Sequence, residues 1–170
     1  KCGFCAEKFL FNNYRRRSYL SMAEEIVFLK NRYKKKWFTF HDSLINGDLL
    51  NLHNFCEELL KNSCFIYWDA QAVIRASMEI EDFKLIKKAG CFNFFIGVEH
   101  FSDRMLKILN KPFNCEQALN FFYKMNRAGF FFEISLIIGH PEEREEDFKI
   151  LCDTLIRNRE LIPKIAQING

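Results

Sequence analysis

Apolar runs return along this chain, each followed by an amphipathic stretch, and that cycle restricts the fold more than any other feature. WFTFH at Trp37 to His41, CFIYWDA around Phe65 to Asp69, FNFFIGV at Phe92 to Val98, FFFEISLIIG at Phe130 to Gly139 and KIAQI near the end are short and rich in aromatic and β-branched residues, as strands are. Between them, apolar positions fall at helical spacing over Met22 to Tyr33, Leu49 to Leu60, Glu81 to Ala89, Cys115 to Ala128 and Glu143 to Arg157. Ser21, ahead of Glu24, reads as the N-cap of the first helix, and Gly90 and Gly129 close the third and fourth. Continuous apolar strands separated by helices indicate a parallel α/β sheet covered by those helices. The spacing of the cycle, ~25 to 40 residues per unit, predicts a partial TIM-like (β/α) barrel of about six βα units, truncated at both ends. A doubly wound open sheet is the second architecture the pattern allows. In both, chemistry sits at the C-terminal ends of the strands.

At 170 residues the chain is about the size of one domain, and no linker or low-complexity stretch divides residues 1–170. With 49% hydrophobic and 28% charged residues it is globular, and no apolar run approaches the ~20 residues of a membrane helix. Residue 1 is Lys, with no secretory leader before it, and we expect the natural start to lie upstream. Seven cysteines, an odd number scattered through helix and strand patterns, argue against a secreted disulfide framework and for a reducing, cytoplasmic setting. Net charge is only +3, although YRRRS at Tyr14 to Ser18 and NRYKKKW at Asn31 to Trp37 gather basic side chains. Solvated faces or helix ends account for such runs more often than nucleic-acid docking does.

The polar residues at the expected strand ends are His41, Asp42 and Ser43, then Asp69 and Gln71 with Arg75, then Glu99 and His100, then His140 and Glu142; they should converge on one rim. Cys2 and Cys5 precede the first helix as a CxxC pair, a spacing shared by thiol oxidoreductases, zinc knuckles and iron–sulfur sites. The first of these wants the pair at a helix N-terminus directly after a strand, whereas FNNYRRRS intervenes here. The second needs another tight Cys or His pair, and none occurs. Cys56, Cys64, Cys91, Cys115 and Cys152 fall on helix or strand patterns and read as buried small hydrophobes.

Read in order, the motifs resemble the radical S-adenosylmethionine (SAM) superfamily, in particular the core of its cobalamin-dependent (B12-binding) enzymes. Cys2 and Cys5, with Phe4 before the second, look like the last two cysteines of CxxxCxxC; the first would lie four residues before Cys2, outside this sequence. FTFHDSLING, WDAQAVIR with KKAGC, GVEH and SDRMLKILNKP resemble that subset's second to fourth βα units. SLIIGHPEE resembles GxIxGxxE, with Ser135 in place of the first Gly and Ile137, Gly139 and Glu142 matching, and IAQING resembles the sixth strand. Two departures stand beside the expected SAM site. His100-Phe101 replaces Ser-Gly, and Glu142-Glu143 replaces Gly-Glu.

The resemblance implies a [4Fe-4S] cluster ligated by Cys2 and Cys5, and SAM held by Asp42 at its amino group, by Glu99 at its ribose or methionyl part, and by Ile137 and Gly139 along its adenine. Glu142 would complete that last motif, and Arg75 and Arg104 are candidates for the SAM carboxylate or for structural ion pairs. Phe4 would pack on the adenine or the cluster, unless it is an ordinary core residue like most of the twenty Phe. The implied activity is reductive cleavage of SAM to a 5′-deoxyadenosyl radical, with cobalamin-dependent methyl transfer or another radical modification of an unknown substrate as outcome, no membrane partner, and a reductant such as flavodoxin or ferredoxin. The rival reading is a non-catalytic or nucleic-acid-binding (β/α) module docking phosphates on its basic runs. A tRNA-modifying radical SAM enzyme would combine the two.

Overall fold

The computed structural model describes Gly3, Cys5 and residues 13–170. Its elements are α1 (Tyr19–Tyr33), β1 (Trp37–Phe40), a 3-10 turn (Ile45–Gly47), α2 (Leu49–Lys61), β2 (Tyr67–Ala72), α3 (Ile80–Lys88), β3 (Cys91–Glu99), α4 (Asp103–Ile108), α5 (Cys115–Arg127), β4 (Phe132–Ile137), α6 (Glu145–Arg157) and β5 (Ile165–Asn169). The strands form one sheet in the order β1-β2-β3-β4-β5, every neighbouring pair parallel. A sheet whose strand order never reverses has no topological switch point, so the doubly wound alternative falls and an arc of a (β/α) barrel remains. Among the described residues the arc has five strands, one fewer than the expected units.

The two faces of the arc differ because side chains alternate along each strand. Trp68, Phe94, Phe132 and Ile134 are fully buried on the helix-facing side. There Trp68 meets Phe55 of α2 edge to face with ring centroids 5.9 Å apart, and Phe132 stacks on Phe122 of α5 at 4.7 Å. Each such side chain contributes roughly 1.5–3 kcal/mol of burial energy. Trp68 also needs a partner for its one polar atom, and its Nε1 donates to Ala89 O at 2.9 Å. On the other face Thr39 donates to Asp69 at 2.8 Å and Asn93 to Glu133 at 2.9 Å, giving the concave side a polar layer.

Three local expectations change. The first helix starts at Tyr19, capped by Ser18, because Asn51 of α2 accepts the Tyr19 N–H at 3.0 Å and draws the chain into the helix earlier than Ser21. Asp69 and Gln71 lie within β2 rather than past its end. A short helix, α4, follows β3; it is too brief to show helical periodicity, but Ser102 caps it by accepting the Met105 N–H.

Candidate functional site

The chemistry gathers where β3 and β4 end. Glu99, the last residue of β3, is only 7% exposed and adopts φ 71°, a left-handed conformation that non-glycine residues seldom hold without compensation. A bulge at Gly97 to Glu99 in the β3–β4 ladder turns its carboxylate back over the sheet. Lys111 donates to Glu99 Oε1 at 3.1 Å and to Gly97 O at 2.8 Å, while Ser135 Oγ donates to Oε2 at 3.2 Å. Both charged side chains are almost fully withdrawn from water, which is tolerable because each has the other. Gly97 lies beneath them, and a Cβ there would stand 2.5 Å from Glu99 Oε1, so a larger residue would displace the carboxylate from this position.

Beside it, a second set of contacts ties the β4–α6 loop to the segment after β3. His100, fully buried, accepts the Ser102 N–H at Nδ1 (2.8 Å) and contacts Glu143 Oε1 through Nε2 (3.1 Å). Glu143 Oε2 accepts the N–H of Gly139, whose φ of 81° is the loop's first sharp turn and above which the space a Cβ would enter is open. One residue group further along, Asp147 accepts from Ser102 Oγ at 2.5 Å, from Arg144 N at 3.1 Å and from the Arg104 guanidinium, which also reaches Glu142 O. Arg104 first, with Ser102 and the Arg144 N–H behind it, holds the Asp147 carboxyl far below the usual carboxylate range. The same carboxylate raises Arg104 in turn.

The expected site residues therefore divide. Glu99, Arg104, Ile137, Gly139 and His100 come together at the β3 and β4 ends. Glu142 is exposed and contributes its backbone, while its neighbour Glu143 turns inward. At the β1 end, His41 and Asp42 are exposed and line a cleft of about 250 Å³ with Arg17, Glu25 and Met22. Arg75, past β2, donates to Asn46 O at 2.8 Å and Gly47 O at 2.6 Å. Asn46 is fully buried and exchanges hydrogen bonds with the Val73 backbone at 2.8 and 3.0 Å, pinning this loop to the end of β2. Lys111, Ser135, Glu143, Ser102 and Asp147 were not singled out as site residues, because their partners lie 12 to 45 residues away in the chain.

Cys2 and Phe4 lie outside the described residues. Cys5 is a free, half-buried thiol. The Gly3 N–H donates to Leu109 O at 2.9 Å, bringing Gly3 against the end of α4, just ahead of Lys111. The other cysteines differ from expectation in part: Cys56, Cys64 and Cys91 are buried, with thiol pKa values raised by that burial, whereas Cys115 and Cys152 are only half-buried. Of the basic runs, Arg16 pairs with Asp48 at 2.8 Å, Arg17 pairs with Glu25, and Lys34 to Lys36 are exposed between α1 and β1. No helix among the described residues is long and apolar enough to cross a membrane.

Among curated proteins, the ribosomal protein uS12 methylthiotransferase RimO of Campylobacter fetus subsp. fetus (strain 82-40) is 31% identical over 167 residues, covering 91% of this chain and 37% of RimO. The chain spans about a third of the length of the curated relatives it matches. The structure of the cobalamin-dependent SAM radical enzyme OxsB with aqua-cobalamin bound superposes with a TM-score of 0.81 at 20% identity, over 91% of this chain and 24% of OxsB. The radical SAM methyltransferase TsrM from Kitasatospora setae, with cobalamin and a [4Fe-4S] cluster bound, gives 0.71 at 15% identity, over 84% of this chain and 29% of TsrM. At these identities the structures speak to fold, and they bear out the partial barrel. The sequence model of the radical SAM superfamily matches residues 1–155, nearly the whole chain, and the conclusion is plain: this chain belongs to the radical SAM superfamily.

Proposed function

We propose that this chain forms, as one domain, the core of a radical SAM enzyme, with Cys2 and Cys5 ligating a [4Fe-4S] cluster and SAM lying across the C-terminal ends of the strands. The observation that carries this reading is the hydrogen bond from Gly3, a neighbour of Cys2 in sequence, to Leu109 O, two residues before the Lys111 that holds Glu99. The described residues fit both groups. Cys5 is a soft, unpaired donor of the kind iron–sulfur clusters take, and the left-handed Gly139 leaves open the face along which a flat ring can lie. Bound together, cluster and SAM would supply a one-electron reductive cleavage of SAM, with the electron drawn from a reductant of the flavodoxin or ferredoxin class.

The chain's own part is binding, orientation and exclusion of water. Glu99, held in a strained conformation by Lys111 and Ser135, offers a fixed acceptor to ribose hydroxyls or the methionyl part, and its rigidity means little is lost in ordering it on binding. Ile137 and Gly139 border the adenine. Asp42, exposed at the β1 end, faces the ammonium of the methionyl group, and Arg75 orders the neighbouring loop through Asn46 and Gly47. Arg104 and Glu142 belong to the loop frame rather than to direct contact. The likeness to the cobalamin-dependent enzyme OxsB and to the methyltransferase TsrM with cobalamin bound makes cobalamin-dependent methyl transfer, on an unidentified substrate, the reaction class we favour.

The test is product analysis. Anaerobically reconstituted full-length protein, reduced with dithionite and given SAM, should form 5′-deoxyadenosine and methionine; SAM that stays intact on a protein with a filled cluster would overturn the proposal.

A further inference from the structure

We propose that His100, one of the two departures from the family pattern, is a positioning residue that sets the adenine-facing loop through Glu143. The inference rests on the SAM reading above and adds a residue to it. Nδ1 of His100 receives the Ser102 N–H at 2.8 Å, so its lone pair is committed there and the ring proton sits on Nε2. Nε2 therefore donates to Glu143 Oε1, at 3.1 Å. Glu143 has a second oxygen, and that one accepts the N–H of Gly139. A single carboxylate thus bridges a fully buried imidazole and the left-handed glycine at the edge of the proposed adenine face.

The geometry is directional. Both groups that meet Glu143 are donors, so only an ionised carboxylate satisfies them together; a carboxamide has one acceptor oxygen and would lose one partner. The clasp also spans elements 43 residues apart in sequence, so it fixes the loop relative to β3 rather than stabilising it locally. Arg104 and Ser102 on Asp147 secure the far side of the same loop and the Ile138 N–H is held by Asn169 O of β5, while the Gly139 N–H itself is held by Glu143. A serine at position 100, as the family pattern has, is too short to reach where the imidazole Nε2 reaches.

Two substitutions separate the ring's two roles. In His100→Asn the amide oxygen stands where Nδ1 accepts, but nothing reaches Glu143; in His100→Gln the amide nitrogen stands where Nε2 donates. The full-length, reconstituted protein is used, with hydrogen exchange at the Gly139 amide read without SAM and SAM affinity read by calorimetry. We expect exchange at Gly139 to be about tenfold faster and SAM affinity about tenfold weaker in His100→Asn, with His100→Gln restoring most of both and Glu143→Gln matching His100→Asn. Added to His100→Asn, Glu143→Gln should change little further, as expected of two residues in one chain of contacts. If the unmodified protein binds SAM and His100→Asn changes neither exchange nor affinity, this inference fails alone. If the unmodified protein with its cluster filled does not bind SAM, the functional reading fails and takes this one with it.

Discussion

The β3–β4 end of the rim and the β1–β2 end are built on different principles. At the first, polar and charged side chains are paired away from water: Glu99 with Lys111, the His100 imidazole with the Glu143 carboxylate, and Asp147 with the half-exposed Arg104. At the second, Asp42 and His41 stand in water beside an open cleft, and order comes from backbone carbonyls held by Arg75 and from the Asn46 amide. The difference teaches that one rim combines a rigid wall, whose paired groups are fixed by one another, with a wet wall whose charged groups remain in solvent. Buried pairs are costly to break and rigid while they last. Exposed carboxylates cost the fold little and so can be placed for binding alone.

That contrast can be broken, and the largest effect is expected at Glu99. Glu99→Ala leaves the Lys111 ammonium buried without its carboxylate, and denaturant unfolding should show a loss of ~3–5 kcal/mol; a loss under ~1 kcal/mol would mean the pair is not a rigid wall. Asp147→Asn is next, with ~2 kcal/mol expected from losing hydrogen bonds to a charged group. Its pH dependence has a definite sign. The folded state holds the Asp147 carboxyl below the ordinary carboxylate range, so its stabilisation is complete above about pH 5 and is lost as pH falls through that range toward the depressed value. The stability gap between the unmodified protein and Asp147→Asn should therefore close on acidification, and a gap that is constant from pH 7 to pH 3 would contradict the assignment.

On the wet wall the effects shrink. Arg75→Met removes two hydrogen bonds to carbonyls in a partly exposed loop and should cost ~1 kcal/mol. Asp42→Asn should leave stability within ~0.5 kcal/mol of the parent while weakening SAM about tenfold by calorimetry, because a charge facing an ammonium is lost without disturbing the fold. Stability falling with affinity at Asp42 would erase the distinction between the two walls.

Much of this was legible in the chain. The strands could be read because parallel, covered strands are apolar throughout, and Gly90 and Gly129 marked helix ends that require positive φ. Glu99 stood out as a carboxylate at the end of the apolar run FNFFIGV. Its partner was not legible, since Lys111 reaches it only after α4 turns the chain back, and α4 is too short to announce itself. Spacing also favoured Glu142, and only the turn at Gly139 decides that the next glutamate faces inward. The role of Asn46 was not legible, because it depends on the end of β2 lying alongside, a tertiary fact.

The central claim is that the cysteine segment and the rigid wall form one site for a cluster and SAM. Electron paramagnetic resonance of the anaerobically reconstituted, reduced full-length protein tests it most directly. The account predicts a reduced [4Fe-4S] signal whose line shape changes when SAM is added, and loses that change in Glu99→Gln. A cluster that fails to form, or a signal indifferent to SAM, would contradict it.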